Sequence, residues 1–229
     1  EVIGMMPPLI GFYDVPDKNP FEPFATPKNC VFSCYEQWIH GESTCLSEEN
    51  CGSVGCPGAG YWLCGVESVP RTDVAYFLAG QEGLKASPEL MCQWLEHQPP
   101  YKKEHAYVVI GPLHKDQYQY LKTVTFYVNP DQLSLLLTGA EYHYAAGDSH
   151  PVETLVGAGC GQLAAFLGNL DVPRAMIGAT DIAMRPYVPP HTLAVTVTKP
   201  MFEQLCELDT NSFLSKSYWQ RLVKARGEI

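Results

Sequence analysis

Twenty residues from Cys45 to Cys64 carry four cysteines and four glycines, and within them runs Gly55-Cys56-Pro57-Gly58-Ala59-Gly60. Proline fits a first helical position because its missing N–H would have no partner there. Cys56 is therefore expected as the N-cap of a helix reaching Cys64. A second stretch, Gly157-Ala158-Gly159-Cys160-Gly161 followed by Gln162-Leu163-Ala164-Ala165-Phe166, repeats this arrangement about one hundred residues later. A fold with two glycine-rich loops, each handing a cysteine to a helix start, must let backbone approach closely at both places.

The remaining elements fall into the same order on either side of the middle. Leu9 to Tyr13 reads as a strand, and Asp14 to Lys28, with four prolines, as a loop. Asn29 to Gly41 reads as a helix capped by Asn29 and stopped by Gly41, with Cys30, Cys34 and Trp38 on one face. Val74 to Leu78 is expected as a strand, Ser87 to Glu96 as a helix with serine cap and proline start, and Ala106 to Ile110 as a strand. Val124 to Asp131 echoes Ile10 to Asp17, Gly159 to Gly168 echoes Gly55 to Gly65, and Thr192 to Leu205 echoes the region 74–95. Repeats in constant order indicate two copies of one supersecondary unit, with chance likeness of short apolar runs as the alternative. The expected fold is α+β: two repeated α/β halves related by a pseudo-twofold, with mixed sheet or sheets packed against helices. Residues 1–112 form the half with the cysteine-rich loop and 113–229 the half with a C-terminal helix, together one compact unit.

A length of 229 residues with 46% hydrophobic content supplies a normal core without covalent staples. Nine cysteines leave at least one unpaired, so reduced thiols in a cytoplasmic protein are favoured over an exported disulfide framework. A net charge of -10 opposes nucleic acid or an anionic membrane as partner. No apolar run of about twenty residues is present to span a bilayer. Oligomeric state has no signature in the sequence.

The Cys30/Cys34 helix, Gly55-Cys56-Pro57-Gly58-Ala59-Gly60, and Gly159-Cys160 with Leu163-Ala164-Ala165 together resemble the DUF169 family, an uncharacterised family of archaea and anaerobic bacteria. The resemblance covers about residues 8 to 206. It implies a cysteine-bearing N-terminal helix, for which either Cys30 or Cys34 qualifies, and two small-residue helix starts. A cysteine that the family often carries before its last repeat is missing from Ile177-Gly178-Ala179-Thr180, so a four-cysteine set taken from the family would be incomplete here. The resemblance implies a fold and places within it, not a reaction.

Three chemistries fit the cysteines. Thiolates from Cys56, Cys160 and one or both of Cys30 and Cys34 could hold zinc or an iron–sulfur cluster between the halves. The gaps from Cys30 to Cys64 reproduce no paired CxxC or ferredoxin spacing, so density rather than spacing carries that reading. Cys56 and Cys160 at helix starts could instead serve a thiol or redox enzyme, although no histidine is tied to either by sequence. Gly55, Gly58, Gly159 and Gly161 could cradle a small anion, but Gln162 breaks the dinucleotide fingerprint. Against all three stands a structural or ligand-binding domain with inert cysteines, in which Cys64, Cys92 and Cys206 pack as small hydrophobes beside Trp38, Trp62 and Trp94. Glu48-Glu49 and the loop holding His143 and His150 read as solvated, and hydrolase, zincin and kinase motifs are absent.

Overall fold

Strand β1 (Leu9–Val15) lies inside the sheet and alternates its side chains between two apolar layers. Ile10 and Phe12 face one layer, Tyr13 and Val15 the other. On one side β1 pairs antiparallel with β3 (Tyr107–Pro112), on the other with β4 (Leu121–Val128). The computed structural model describes residues 8–64, 69–145, 150–154, 157, 159–161, 168–178, 180–209 and 211–226.

The sheet is completed by β2 (Thr44–Leu46), β5 (Val152–Thr154), β6 (Ala175–Gly178) and β7 (Leu193–Thr198), in the order β2-β3-β1-β4-β7-β6-β5. Only β5 and β6 run parallel, so the sheet is mixed and the fold is α+β. A single sheet thus runs across the 112/113 boundary. At its centre Thr125 and Thr196 satisfy each other through a 2.9 Å hydroxyl contact, where an unpaired buried hydroxyl would be costly.

One face carries α5 (Pro130–Glu141) and α6 (Lys199–Cys206), which bury Leu136, Ala140 and Met201 against Val124, Phe126, Val195 and Val197. A capping box between Asn129 and Gln132 starts α5, and the Thr198 hydroxyl caps α6. The other face carries α1 (Tyr35–Ile39), α2 (Pro57–Leu63), α3 (Arg71–Gly80) and α4 (Pro88–Glu96) over Ile10, Phe12, Val108, Ile110 and Tyr127. The tail helix α7 (Ser217–Arg226) is tied to α5 by Arg226 and Asp131 at 2.6 Å.

Four expectations change. Val74 to Leu78 is not a strand but the middle of α3, so the region 74–95 is a helical pair and does not match the strand and helix at 192–205 expected to repeat it. The five apolar residues in a row imitate a strand, yet the buried ones are Val74, Ala75 and Leu78, at helical spacing, with Tyr76 63% exposed. The segment 29–41 is a 3₁₀ turn, Val31–Cys34, leading into the short α1, while Cys30 is extended (φ -152°, ψ 140°). Asn29 is the cause: its φ of +62° turns the chain before a helix can form, so Cys30 and Cys34 do not share a helical face. Finally, Cys51 and Cys64 form a disulfide across α2, their Cα atoms 6.4 Å apart, so the thiols are not all reduced; the other seven are free. Cys206 proves exposed rather than packed in the core. The helix expected after Cys160 lies largely outside the described residues, as does the centre of the loop between His143 and His150.

Candidate functional site

Three of the cysteines named from sequence converge on the α1–α4 face, and glycines are what let them. Gly55 has φ +77°, and a Cβ there would sit 3.4 Å from Asn29 Oδ1 and 3.7 Å from Asn29 Cα, so the loop before Cys56 lies on the turn before Cys30. A Cβ on Gly159 would fall 2.6 Å from Met184 Sδ and 2.7 Å from the Phe32 ring, which brings Cys160 to the same turn. A Cβ on Gly58 or on Gly161 would fall 3.1 or 3.3 Å from the Trp62 ring, which joins the first turn of α2 to the 159–161 segment. The four glycines proposed from sequence as ligand contacts thus act visibly as points of close approach.

Asp181 fixes the 159–161 segment. Its carboxylate accepts hydrogen bonds from the Gly159 amide at 2.7 Å and the Ala183 amide at 2.8 Å. It is only 7% exposed, and its charge is felt by Cys30, Cys56 and Cys160 alike. Glu82, just past α3, is felt by the same three. Burial, then the charge of Asp181, pushes the Glu82 carboxyl up to about 7.

The thiols perturb one another. Burial pushes Cys30 up to about 12, against the relief of the Phe32 amide, with Asp181, Cys56 and Glu82 adding to the rise. Cys160 is raised further, by burial first and then by Cys56, Cys30, Asp181 and Glu82. Cys56 is raised by burial despite the lowering effect of the Ala59 and Gly58 amides. Every charged group acting on these three is acidic, and the residues outside the described set contain no Lys, Arg or His. In the ligand-free chain the three are neutral thiols, and thiolate forms only if positive charge arrives.

Three polar groups at this junction have no partner among the described residues: the Tyr127 hydroxyl, the Trp62 indole N–H and one oxygen of Glu82. Tyr127 is 3% exposed and Trp62 1%. A buried hydroxyl left unpaired costs about 1–3 kcal/mol, so its persistence calls for an explanation. Burial holds the Tyr127 hydroxyl in its protonated form, and ionisation of Tyr35, Cys30 or Cys160 would hold it there more firmly. Beside Cys56 opens a cleft of about 600 Å³ whose lining includes Glu48, Glu49, Cys51, Gly55 and Asp73.

Cys34 stands apart. Its thiol is raised by burial and relieved by hydrogen bonds with Thr44 and Ser33, and none of the other cysteines acts on it. Sequence reasoning left Cys30 and Cys34 equivalent because the turn at Asn29 is not visible in residue spacing. It also missed Glu82, Asp181 and Tyr127, which lie far apart in the chain and belong to no local motif.

Among the described residues, the one trio of His, Cys, Asp or Glu with ligand atoms all within 4.8 Å is Asp14, Glu104 and His105. Its bonding is structural. Asp14, fully buried, accepts from the Tyr101 hydroxyl at 2.8 Å and from the amides of Glu104 and His105 at 2.6 and 3.0 Å. Lys122 sits 2.9 Å from Glu104. The trio clamps the segment before β3 onto β1, and a cation there would have to displace Lys122.

Fold and site together define a mixed-sheet α+β protein with a buried, acid-flanked group of thiols on one face. The family model of DUF169, described as an uncharacterised ArCR family, matches residues 9–208, and the chain belongs to that family. Comparison with curated proteins and with solved structures gives no match. Among the described residues no helix is long and apolar enough to cross a membrane.

Proposed function

We propose that this chain holds a positively charged metal group, an iron–sulfur cluster or zinc, between Cys30, Cys56 and Cys160. The observation that carries the reading is the meeting of three thiols from three separate segments with two carboxylates and no basic side chain. An anion would meet two carboxylates and no basic side chain there, so the glycine loops are poor candidates for phosphate. A nucleophilic pair of Cys56 and Cys160 is also disfavoured, because both thiols are pushed away from the reactive thiolate. The cleft beside Cys56, with Glu48, Glu49 and Asp73 on its walls, gives a cation an acidic approach.

Tetrahedral zinc at about 2.3 Å from each sulfur would set the sulfurs about 3.8 Å apart. The three sulfurs are not all within 4.8 Å of one another, which favours a larger, multi-iron group over a single ion. Three thiolates fall one short of a closed four-ligand set, leaving a position for Glu82 or for a ligand from outside the protein. A cytoplasmic setting accompanies this reading: seven free thiols suit a reducing compartment better than a fully paired exported framework. The pseudo-twofold relation of 1–112 and 113–229 is part of the same proposal. The adjacent antiparallel β1 and β4, bordered by antiparallel β3 and β7, support it.

The test is anaerobic purification with iron, sulfide and zinc analysis, followed by reconstitution with ferrous iron and sulfide and, separately, with Zn²⁺. Bound metal in the native protein is expected to be lost in Cys30→Ser, Cys56→Ser and Cys160→Ser and kept in Cys34→Ser. A native chain that stays colourless and metal-free after both reconstitutions overturns the proposal.

A further inference from the structure

The buried hydroxyl of Tyr127 is the strongest unexplained feature near the thiols. Tyr127 sits near the end of β4, in the centre of the sheet, and its amide bonds the Pro8 carbonyl at 3.3 Å. Its ring packs edge-on against Tyr35, with centroids 4.7 Å apart, so it is held from one side by α1 and from the other by the sheet. It belongs to the same buried cluster as Cys30, Cys160 and Trp62. With backbone and neighbouring ring fixed, the hydroxyl stays buried, and no acceptor among the described residues reaches it. The Trp62 N–H is stranded in the same cluster, beside Gly161 and hence next to Cys160.

We propose that Tyr127 is a hydrogen-bond donor to the sulfur of the metal-bound site, supported by the Trp62 N–H, and that the ligand is a group whose sulfur atoms become acceptors on binding. The inference rests on the metal reading above and adds the chemistry of its surroundings. A neutral thiol is a weak acceptor, whereas a metal thiolate or bridging sulfide is a strong one. The two stranded donors are therefore unsatisfied in the ligand-free chain and satisfied in the loaded one. Hydrogen bonds to such sulfurs tune affinity and redox potential, which makes Tyr127 a positioning and tuning residue rather than a ligand.

The experiment compares Tyr127→Phe with the native chain, free of metal and then reconstituted anaerobically with ferrous iron and sulfide, whose sulfur-to-iron charge-transfer absorption reports on bound sulfur. Without metal, the variant should melt no lower than the native chain, because the hydroxyl it removes has no partner. Loaded with iron and sulfide, it should hold the group about ten- to hundredfold less tightly against a chelator, and the charge-transfer band should move to lower energy as a donor to sulfur is lost. A lowered melting point without metal would show that the hydroxyl already has a partner, overturning the inference. Unchanged affinity and band position would overturn it while leaving the metal site standing. If the native chain takes up no iron and sulfide, the site itself falls and this inference with it.

Discussion

Glu82 is a carboxylate held in a setting that disfavours its charge. Burial and the neighbouring Asp181 raise it to about 7, so the folded chain binds its proton more tightly than the unfolded chain does. Stability linked to that proton is fully present below the unfolded pKa and is lost as pH rises through about 7. In the metal-free protein, Glu82→Gln should therefore flatten the fall in stability between about pH 4.5 and 7 and leave the variant more stable at pH 8. Urea midpoints across that range measure it, and superimposable profiles would contradict the assignment. At this scale the sequence was legible only where punctuation marked it. Cys56 and Cys160 announce themselves through flanking glycine and proline. Glu82, Asp181 and Tyr127 carry no such marks, and the choice of Cys30 over Cys34 depends on one left-handed residue, Asn29.

Among elements, the meeting of the 159–161 segment with the turn at Phe32 decides how closely Cys160 comes to Cys30. Gly159→Ala would drive a Cβ into Phe32 and Met184 and should cost about 1–3 kcal/mol by overpacking. Gly52→Ala, with nothing within 4 Å of the added carbon, serves as the control and should leave the midpoint nearly unchanged. Chemical denaturation of the two variants gives the comparison; equal midpoints would mean the segment yields without strain. Proline-started helices were read correctly because their signals are local: Pro57, Pro88 and Pro200 each stand in a first turn. The strand expected at 74–78 failed because a short apolar run fits either period, and only packing of α3 on α4 resolves it.

On the scale of the whole molecule, the sheet joins the two sequence halves through β1 and β4. Expressed separately, 1–112 would lose β4 from the flank of β1, and 113–229 would lose β1 from the flank of β4. Neither fragment is expected to show dispersed amide resonances or near-ultraviolet dichroism alone. A dispersed spectrum from 1–112 by itself would show that the halves are independent folding units. The α+β class was legible in sequence because strand and helix signals alternate with clear stops. The strand order was not, since pairing β1 with β3 and β4 depends on contacts about one hundred residues apart.

Among the described residues, the sheet ends at both sides in strands of three residues, β2 and β5. An open strand is a template on which a second chain can add its own, and the gain grows with every rung of the ladder. At β2, flanked on both sides by described residues, the template is three rungs long, too brief to recruit a neighbour against the entropy of ordering it. Self-association of this chain, where it occurs, is therefore expected to use helical surfaces, and the long central strands stay shielded from the route to fibrils.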